Sequence, residues 1–372
     1  RHAAGIARLE PARARAADGE RRLRIGYVSP DFRDHAVGFF LEPLVAAHDR
    51  GAVEVTCYSA TVRPDAVTGR MRKASDRWRE VAGVEDGALA EMIRADGIDI
   101  MVDCAGHTHG NRLLALARRP APVQATMVLG HGGTTGLAAI DYMLTDGVIT
   151  PEGMDGHFSE KVVRLPRVFA PFQVRAEWPE VGPLPEGPVV FGCFADPARI
   201  DGACVEWWGR ILEAVPGARI LFKNGAYGDE RMAAYWRRLF GRVAERSEFE
   251  GTPGGWGENM GAYRRVWAML DSWPVTGATS TLIPLWMGVP VVTWAGAHAG
   301  QRFGAAVVTG AGLEDLAAKD AEDYVTRAVE LVGDRARLEG LRRTLRARMA
   351  ASPFLDAAGI ARDTEAAFRA MW

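Results

Sequence analysis

The run TGATSTLIPLWMGVPVVTW, residues 276–294, sets Thr279, Ser280 and Thr281 directly before an apolar stretch of helical composition. A helix start presents unpaired N–H groups and about half a positive charge. Hydroxyls there have two uses. Thr281 can cap the helix, with Pro284 tolerated in its first turn. Alternatively, Gly277, Ala278, Thr279 and Ser280 can hold an anion against the helix amides, with no lysine required. The residues alone leave both readings open. A phosphate loop of the G-x-x-x-x-G-K-[ST] type is absent.

Three other loops carry polar groups just after apolar runs. GYVSPDFRDHAVGFF brings His35 to a strand–helix junction, where a histidine is either a cap or a titratable group at a sheet's carboxyl edge. DCAGHTHGNRLL sets His107 and His109 between Gly106 and Gly110. Two of three zinc ligands are conceivable from that pair, but glycines with free backbone angles fit a ligand-facing loop better. LGHGGTTGL (129–137) adds His131, Gly132, Gly133, Thr134 and Thr135. Three such loops at one sheet edge point to a cleft lined by amides and hydroxyls.

The elements that must position these loops follow from periodicity. LRIGYVS (23–29), VEVTCYS (53–59) and IDIMVDC (98–104) predict strands; VGFFLEPLVAAHD and GALAEMIRADG predict helices, the second closed by Gly97. NRLLALARR is helical up to Pro120, and VQATMVL, DYMLTD and KVVRLP are strands. EWPEVGPLPEGP (177–188) has no periodicity and reads as a linker. The alternation then restarts, with strands VVFGCF, ARILFKN, SEFEG and AMLDSWP and helices CVEWWGRILEAVPG, DERMAAYWRRLFG and ENMGAYRRV. From about Glu322 to Trp372 the chain is nearly all helical. Such alternation predicts α/β architecture: two doubly wound parallel sheets, with ligands at strand carboxyl ends and in the cleft between the halves. The expected bounds are a linker over 1–21, lobes over 22–180 and 186–350, and a C-terminal helix over 351–372. The tryptophans of EWWGRIL and RRVWAMLDSWP have the spacing of packing residues rather than of a sugar-stacking platform.

Bulk properties limit the function classes. With 372 residues, 48% hydrophobic and 25% charged, the chain suits a soluble two-domain protein. A net charge of -2 gives no global field for nucleic acid or anionic lipid. No apolar stretch nears the roughly 20 residues that span a bilayer, and the start lacks the apolar core of a signal peptide. Cys57, Cys104, Cys193 and Cys204 form no C-x-x-C pair and are expected as buried free thiols in a reducing, cytoplasmic setting.

Taken together, LRIGYVSPDFRDHAVGFFLEPLVAAHD, DIMVDCAGHTHGNRLLALARRPAPVQATMVLGHGGTTGLAAIDYMLTD, FSEKVVRLP, GRILEAVPGARILFK, TGATSTLIPLWMGVPVVTWAG, LAAKDAEDYV and AAFRAMW resemble the catalytic region of the O-GlcNAc transferase and SPINDLY family. The likeness runs from about Arg22 nearly to the end. It implies a GT-B fold, two Rossmann-like domains facing across a cleft with a helical C-terminal tail, the acceptor on the first lobe and the nucleotide on the second. It implies inverting transfer of a sugar to Ser or Thr of a protein, with a nucleotide-sugar substrate, no metal and no other cofactor. Residues 1–21 would then be the end of a tetratricopeptide-repeat region.

By the same resemblance His35 inherits a catalytic place near donor and acceptor, with His107 as a second candidate. Thr279–Ser280–Thr281 matches the turn whose amides hold the donor phosphates, and Arg199 stands where the family has a phosphate-binding lysine. Arginine keeps the charge but not the shape. Ile283 replaces the family's acidic ribose contact, Asn259 a histidine beside the base, and Ala278 a polar residue. HGGTTG replaces YPGTTG, which brings His131 and Gly132 to the cleft loop. Losing a charged ribose acceptor costs nucleotide affinity a few kcal/mol, on the order of an unmade charged hydrogen bond. UDP-GlcNAc is the default donor, GDP-fucose the SPINDLY variant. A CMP-linked nonulosonic acid, carried to flagellin by some bacterial members, makes Ile283 and Asn259 less surprising. A cleft kept only for binding, with catalysis decayed, is the reading from another class.

Overall fold

The computed structural model describes residues 5–9, 21–130, 132–252 and 256–372, with the backbone alone for 256–258. His131 and most of the expected linker 1–21 lie outside the described residues. The chain divides into two compact units, Arg1–Gln173 with Pro353–Trp372 and Val174–Ser352.

The first unit is built on strands β1 (Leu23–Ser29), β2 (Val53–Ser59), β3 (Arg77–Glu80), β4 (Ile100–Asp103), β5 (Val123–Met127), β6 (Tyr142–Asp146) and β7 (Lys161–Leu165). They pair in the order β3-β2-β1-β4-β5-β6-β7, every pair parallel. Strands β4 and β5 are buried at every residue, the polar Asp103, Gln124 and Thr126 included. Helices α1 (Gly38–Ala47), α2 (Ala66–Ala74), α3 (Asp86–Asp96) and α4 (Leu113–Leu116) connect them. The sequence reading did not find α2 or β3. Strand β3, RWRE, is an edge strand with no buried residue, so it has no apolar signal. Helix α2 is mainly polar and owes its start to a reciprocal cap between Asp65 and Thr68.

The second unit repeats the plan. Strands β8 (Val190–Cys193), β9 (Arg219–Lys223), β10 (Ser247–Glu250), β11 (Ala268–Leu270), β12 (Val291–Trp294) and β13 (Ala317–Ala318) run parallel in the order β10-β9-β8-β11-β12-β13. Counted from β8, this is the 3-2-1-4-5-6 order of a Rossmann fold. Its helices are α5 (Gly202–Ala214), α6 (Glu230–Phe240), α7 (Arg242–Glu245), α8 (Trp256–Gly261), α9 (Thr279–Trp286), α10 (Phe303–Gly310), α11 (Ala321–Gly333) and α12 (Arg335–Ala351). Helix α10, FGAAVVTG, escaped the sequence reading because small apolar residues on all sides give no period. The tryptophans serve packing. Trp208 is fully buried and donates from Nε1 to Tyr324, and Trp273 lies flat on Trp294 with centroids 4.0 Å apart.

The Pro-rich segment read as a linker is stitched to the second unit. Arg342 on α12 donates to the carbonyls of Gly182 (3.0 Å), Tyr263 (2.9 Å) and Val266 (3.2 Å), and Arg346 donates to Pro179 O (2.6 Å). Burial, with Arg264 nearby, pushes the Arg342 guanidinium down to about 10.

The last helix, α13 (Ala357–Met371), packs on the first unit rather than standing alone. Glu365 accepts from the backbone N–H of Asp49 (2.9 Å) and pairs with Nδ1 of His48 (2.8 Å), whose Nε2 meets the Tyr27 hydroxyl (2.8 Å). A carboxylate accepts and a phenol donates, so neutral His48 carries its hydrogen on Nδ1. Burial lowers the pKa of His48, and the Glu365 hydrogen bond only partly offsets this.

Candidate functional site

Each sheet has one topological switch point, where ligands of open α/β sheets bind. In the second unit it lies between β8 and β11, since β9 and β10 extend one way and β12 and β13 the other. The loops leaving those two strands carry the residues the sequence singled out. After β8, Arg199 ends a short 3-10 turn, Pro197–Arg199, capped by Asp196. After β11 the chain runs through Asp271 and residues 272–278 into α9.

These loops meet. Arg199 donates from Nε (3.3 Å) and Nη2 (3.1 Å) to Val275 O, so its guanidinium lies against the turn before α9. Gly277 is buried there, and a β-carbon on it would collide with Ser280 Oγ and sit 3.2 Å from Asp271 Oδ1. Any side chain there requires Ser280 to shift.

The three hydroxyls divide. Helix α9 has no side-chain cap, and Ala278 is its N-cap residue. Thr281 is fully buried and donates back to Gly277 O (2.8 Å), so it neither caps the helix nor faces a ligand. Thr279 and Ser280 are half-buried at the helix start. Ile283, one turn further, is 7% exposed within the apolar face of α9.

Several buried polar atoms at this carboxyl edge lack a hydrogen-bond partner among the described residues: Tyr227 OH after β9, Asn259 Oδ1 after β10 and Ser280 Oγ after β11. Phe194, after β8, packs on Tyr263, four residues past Asn259 (4.9 Å between centroids), which ties that region to the Arg199 loop.

Sequence reasoning missed Asp271. Its buried carboxylate accepts from the Ser272 N–H (2.9 Å), the Gly277 N–H (3.0 Å) and the Thr293 hydroxyl (2.7 Å). Burial raises its pKa to about 6, against the lowering pull of Arg199 and of these donors.

The first unit has the same arrangement about its own switch point, between β1 and β4. Asp103, fully buried at the end of β4, accepts from Gly106 N–H (2.8 Å), Ala105 N–H (3.3 Å) and the Thr126 hydroxyl (2.8 Å) of the next strand. Burial raises its pKa too, more than these donors lower it. Gly106 has φ +52° and packs on Gly130, so the loop after β4 turns tightly under the loop after β5.

His107 is exposed and its Nε2 donates to Thr135 O (3.1 Å), which leaves Nδ1 as the acceptor of the neutral ring. His35, half-exposed after β1, accepts from Val37 N–H on Nδ1 (3.3 Å), with Asp31 Oδ1 3.5 Å from that nitrogen. The loop after β1 is braced by α2, whose Asp65 accepts from Asp34 N–H (2.7 Å). Gly133 is exposed. Thr134 and Thr135 are committed to structure, since both hydroxyls and the Thr135 N–H bind buried Glu160. Among the described residues no group of three or more His, Cys, Asp or Glu side chains could hold a metal, His107 and His109 included. All four cysteines are buried free thiols, and no helix among the described residues is long and apolar enough to cross a membrane.

Comparison with known proteins gives a consistent result. The family model "Glycosyl transferase family 41" matches residues 10–174 and 173–363. A probable UDP-N-acetylglucosamine–peptide N-acetylglucosaminyltransferase SPINDLY from Petunia hybrida is 37% identical over 369 residues, which are 95% of this chain and 39% of that protein. The chain thus spans about two-fifths of the length of the curated relatives it matches. An O-GlcNAc transferase mutant structure from Thermobaculum terrenum is similar with TM-score 0.90 and 39% identity, over 95% of this chain and 68% of that one. Anabaena HepE, solved with UDP and glucose, shares the fold alone, with TM-score 0.60 and 9% identity over 94% of this chain and 100% of its own.

Proposed function

The chain belongs to glycosyl transferase family 41, and from that membership we propose that it moves a sugar from a nucleotide sugar to Ser or Thr of a protein. The observation that carries this reading is the contact of Arg199 with Val275 O, in the turn that leads into α9 at the switch point of the second unit. A donor phosphate there meets the amides of α9, the hydroxyls of Thr279 and Ser280, and one guanidinium. Preorganised donors of this kind act where negative charge develops, on the leaving phosphate, and that is commonly the largest electrostatic contribution to such a transfer. The acceptor hydroxyl oxygen attacks the anomeric carbon from the opposite face, the bond to the phosphate oxygen breaks, and the configuration inverts. The hydroxyl proton passes to the departing phosphate, directly or relayed by His35, with His107 the second candidate. No metal takes part in this scheme.

UDP-GlcNAc is the donor of first choice, because the relatives are named as UDP-N-acetylglucosamine–peptide transferases. A second reading, a CMP-linked nonulosonic acid carried to a bacterial flagellin, rests on the departures at Asn259 and Ile283, since such a donor carries a single phosphate and a different base. A thermal-shift panel of UDP, GDP and CMP decides first. Stabilisation by UDP supports the leading reading and a response to CMP alone replaces it with the second. No response to any nucleotide leaves the decayed binding module. Intact-mass analysis of a co-expressed acceptor then names the sugar by the mass added.

A further inference from the structure

Asp271 is costly where it stands. Its carboxylate is buried beside two buried thiols, Cys193 and Cys204, and the hydroxyl of Tyr324. Arg199 is the cation that acts on it, and the two are joined through the turn rather than by an ion pair. A residue serving only to fill this space would be apolar, because an ionised group out of water loses hydration that hydrogen bonds only partly return.

What it does there is visible in its partners. Two of its three donors are backbone N–H groups of one turn, from Ser272 and Gly277, at the two ends of the segment that leads into α9. The third, Thr293 on β12, anchors the carboxylate to the sheet. Between the pinned ends, the Ser272 hydroxyl donates to Val275 O (2.8 Å), the carbonyl that also receives Arg199. The line of contact is therefore continuous: Thr293, Asp271, the turn, Val275 O, Arg199. A group facing a phosphate must be held within about half an ångström to contribute fully, by neighbours that do not themselves touch the ligand.

We infer that Asp271 is a positioning residue for donor binding: it fixes the shape of the 272–278 turn and, through Val275, the direction in which Arg199 points. This rests on the reading of that turn as the phosphate site. Asp103 makes the same contacts in the first unit, two loop amides and a threonine of the next strand, so one device serves both switch points.

The test is isothermal titration of the full chain with whichever of UDP, GDP and CMP binds the parent most tightly. Asp271→Asn keeps the volume and removes the charge; it is expected to weaken the nucleotide about tenfold. In an Arg199→Ala background the same change is expected to cost threefold at most, because the group it orients is gone. Ser272→Ala reaches the same carbonyl without touching the buried charge, and about threefold weakening is expected with the melting temperature nearly unchanged. It decides the matter if Asp271→Asn does not fold. The inference is overturned if folded Asp271→Asn, or Ser272→Ala in its stead, binds like the parent while Arg199→Ala binds weakly. It is equally overturned if Asp271→Asn costs as much in the Arg199→Ala background as in the parent. If Arg199→Ala also binds like the parent, the phosphate site itself is misplaced and the inference goes with it.

Discussion

The buried carboxylate beneath α9 makes stability depend on pH in a direction opposite to that of most acidic residues. Burial raises the pKa of Asp271 from the ordinary carboxylate value of 3.8 to about 6. Between those values the folded chain holds a proton that the unfolded chain has released. Stability from this group is therefore complete below the unfolded value, falls as pH rises, and is lost above the folded value. A difference of about two pH units at 1.36 kcal/mol each corresponds to roughly 3 kcal/mol. Asp271→Asn cannot titrate, so the variant lacks this component. Urea unfolding of parent and variant from pH 4 to pH 8 measures it, and the parent should lose about 3 kcal/mol relative to the variant across the window. Other shifted groups, Asp103 upward and His48 downward, change equally in both proteins and cancel in the difference. Identical pH profiles would show that Asp271 does not titrate here and would refute the burial argument. An ionised group retained at such a cost is characteristic of sites where function competes with stability.

Three further changes probe the same framework. Gly277→Ala drives a methyl onto Ser280 Oγ, costs about 1–3 kcal/mol by overpacking, and should abolish the nucleotide thermal shift in protein that still melts cooperatively. Arg199→Lys keeps the charge but loses the two-pronged hold on Val275 O, so calorimetry should show nucleotide binding weakened roughly tenfold, the equivalent of about 1.4 kcal/mol. Glu365→Ala strands the buried Nδ1–H of His48, at about 1–3 kcal/mol, and frees the N–H of exposed Asp49, read by denaturant midpoint at neutral pH. In the parent, the contribution of neutral His48 is present above pH 6.5 and fades as pH falls through its lowered folded value.

The sheets were legible from short strand-forming segments alternating with helical ones, and their central strands, as in Ile100–Asp103 and Val123–Met127, are buried at every residue. Edge strand β3 was not, since RWRE has nothing to bury, and all-apolar α10 gave no period. At the site, the glycines and hydroxyls of 277–281 announced a turn before a helix, but not that Thr281 faces inward to Gly277 O. That choice depends on the rotation of α9, which one local segment does not encode. Asp103 and Asp271 lie in VDC and LDSW, where nothing local marks them as buried. Their burial becomes apparent only with the threonine of the following strand, 23 and 22 residues away. An acid at a strand end, a glycine within six residues and a threonine in the next strand is the pattern that would have found both.

Helix α13 closes the first unit with residues made after the whole of the second unit. On a ribosome, the sheet that carries His35 emerges early yet must wait for Glu365 before His48 is satisfied, while the unit encoded between residues 174 and 352 is already complete. The nascent chain is thus expected to mature from the inside outward, the second unit first. A fragment ending near residue 173 would leave α1 without the helix packed on it and His48 without Glu365, whereas the intervening segment is the natural piece to express by itself.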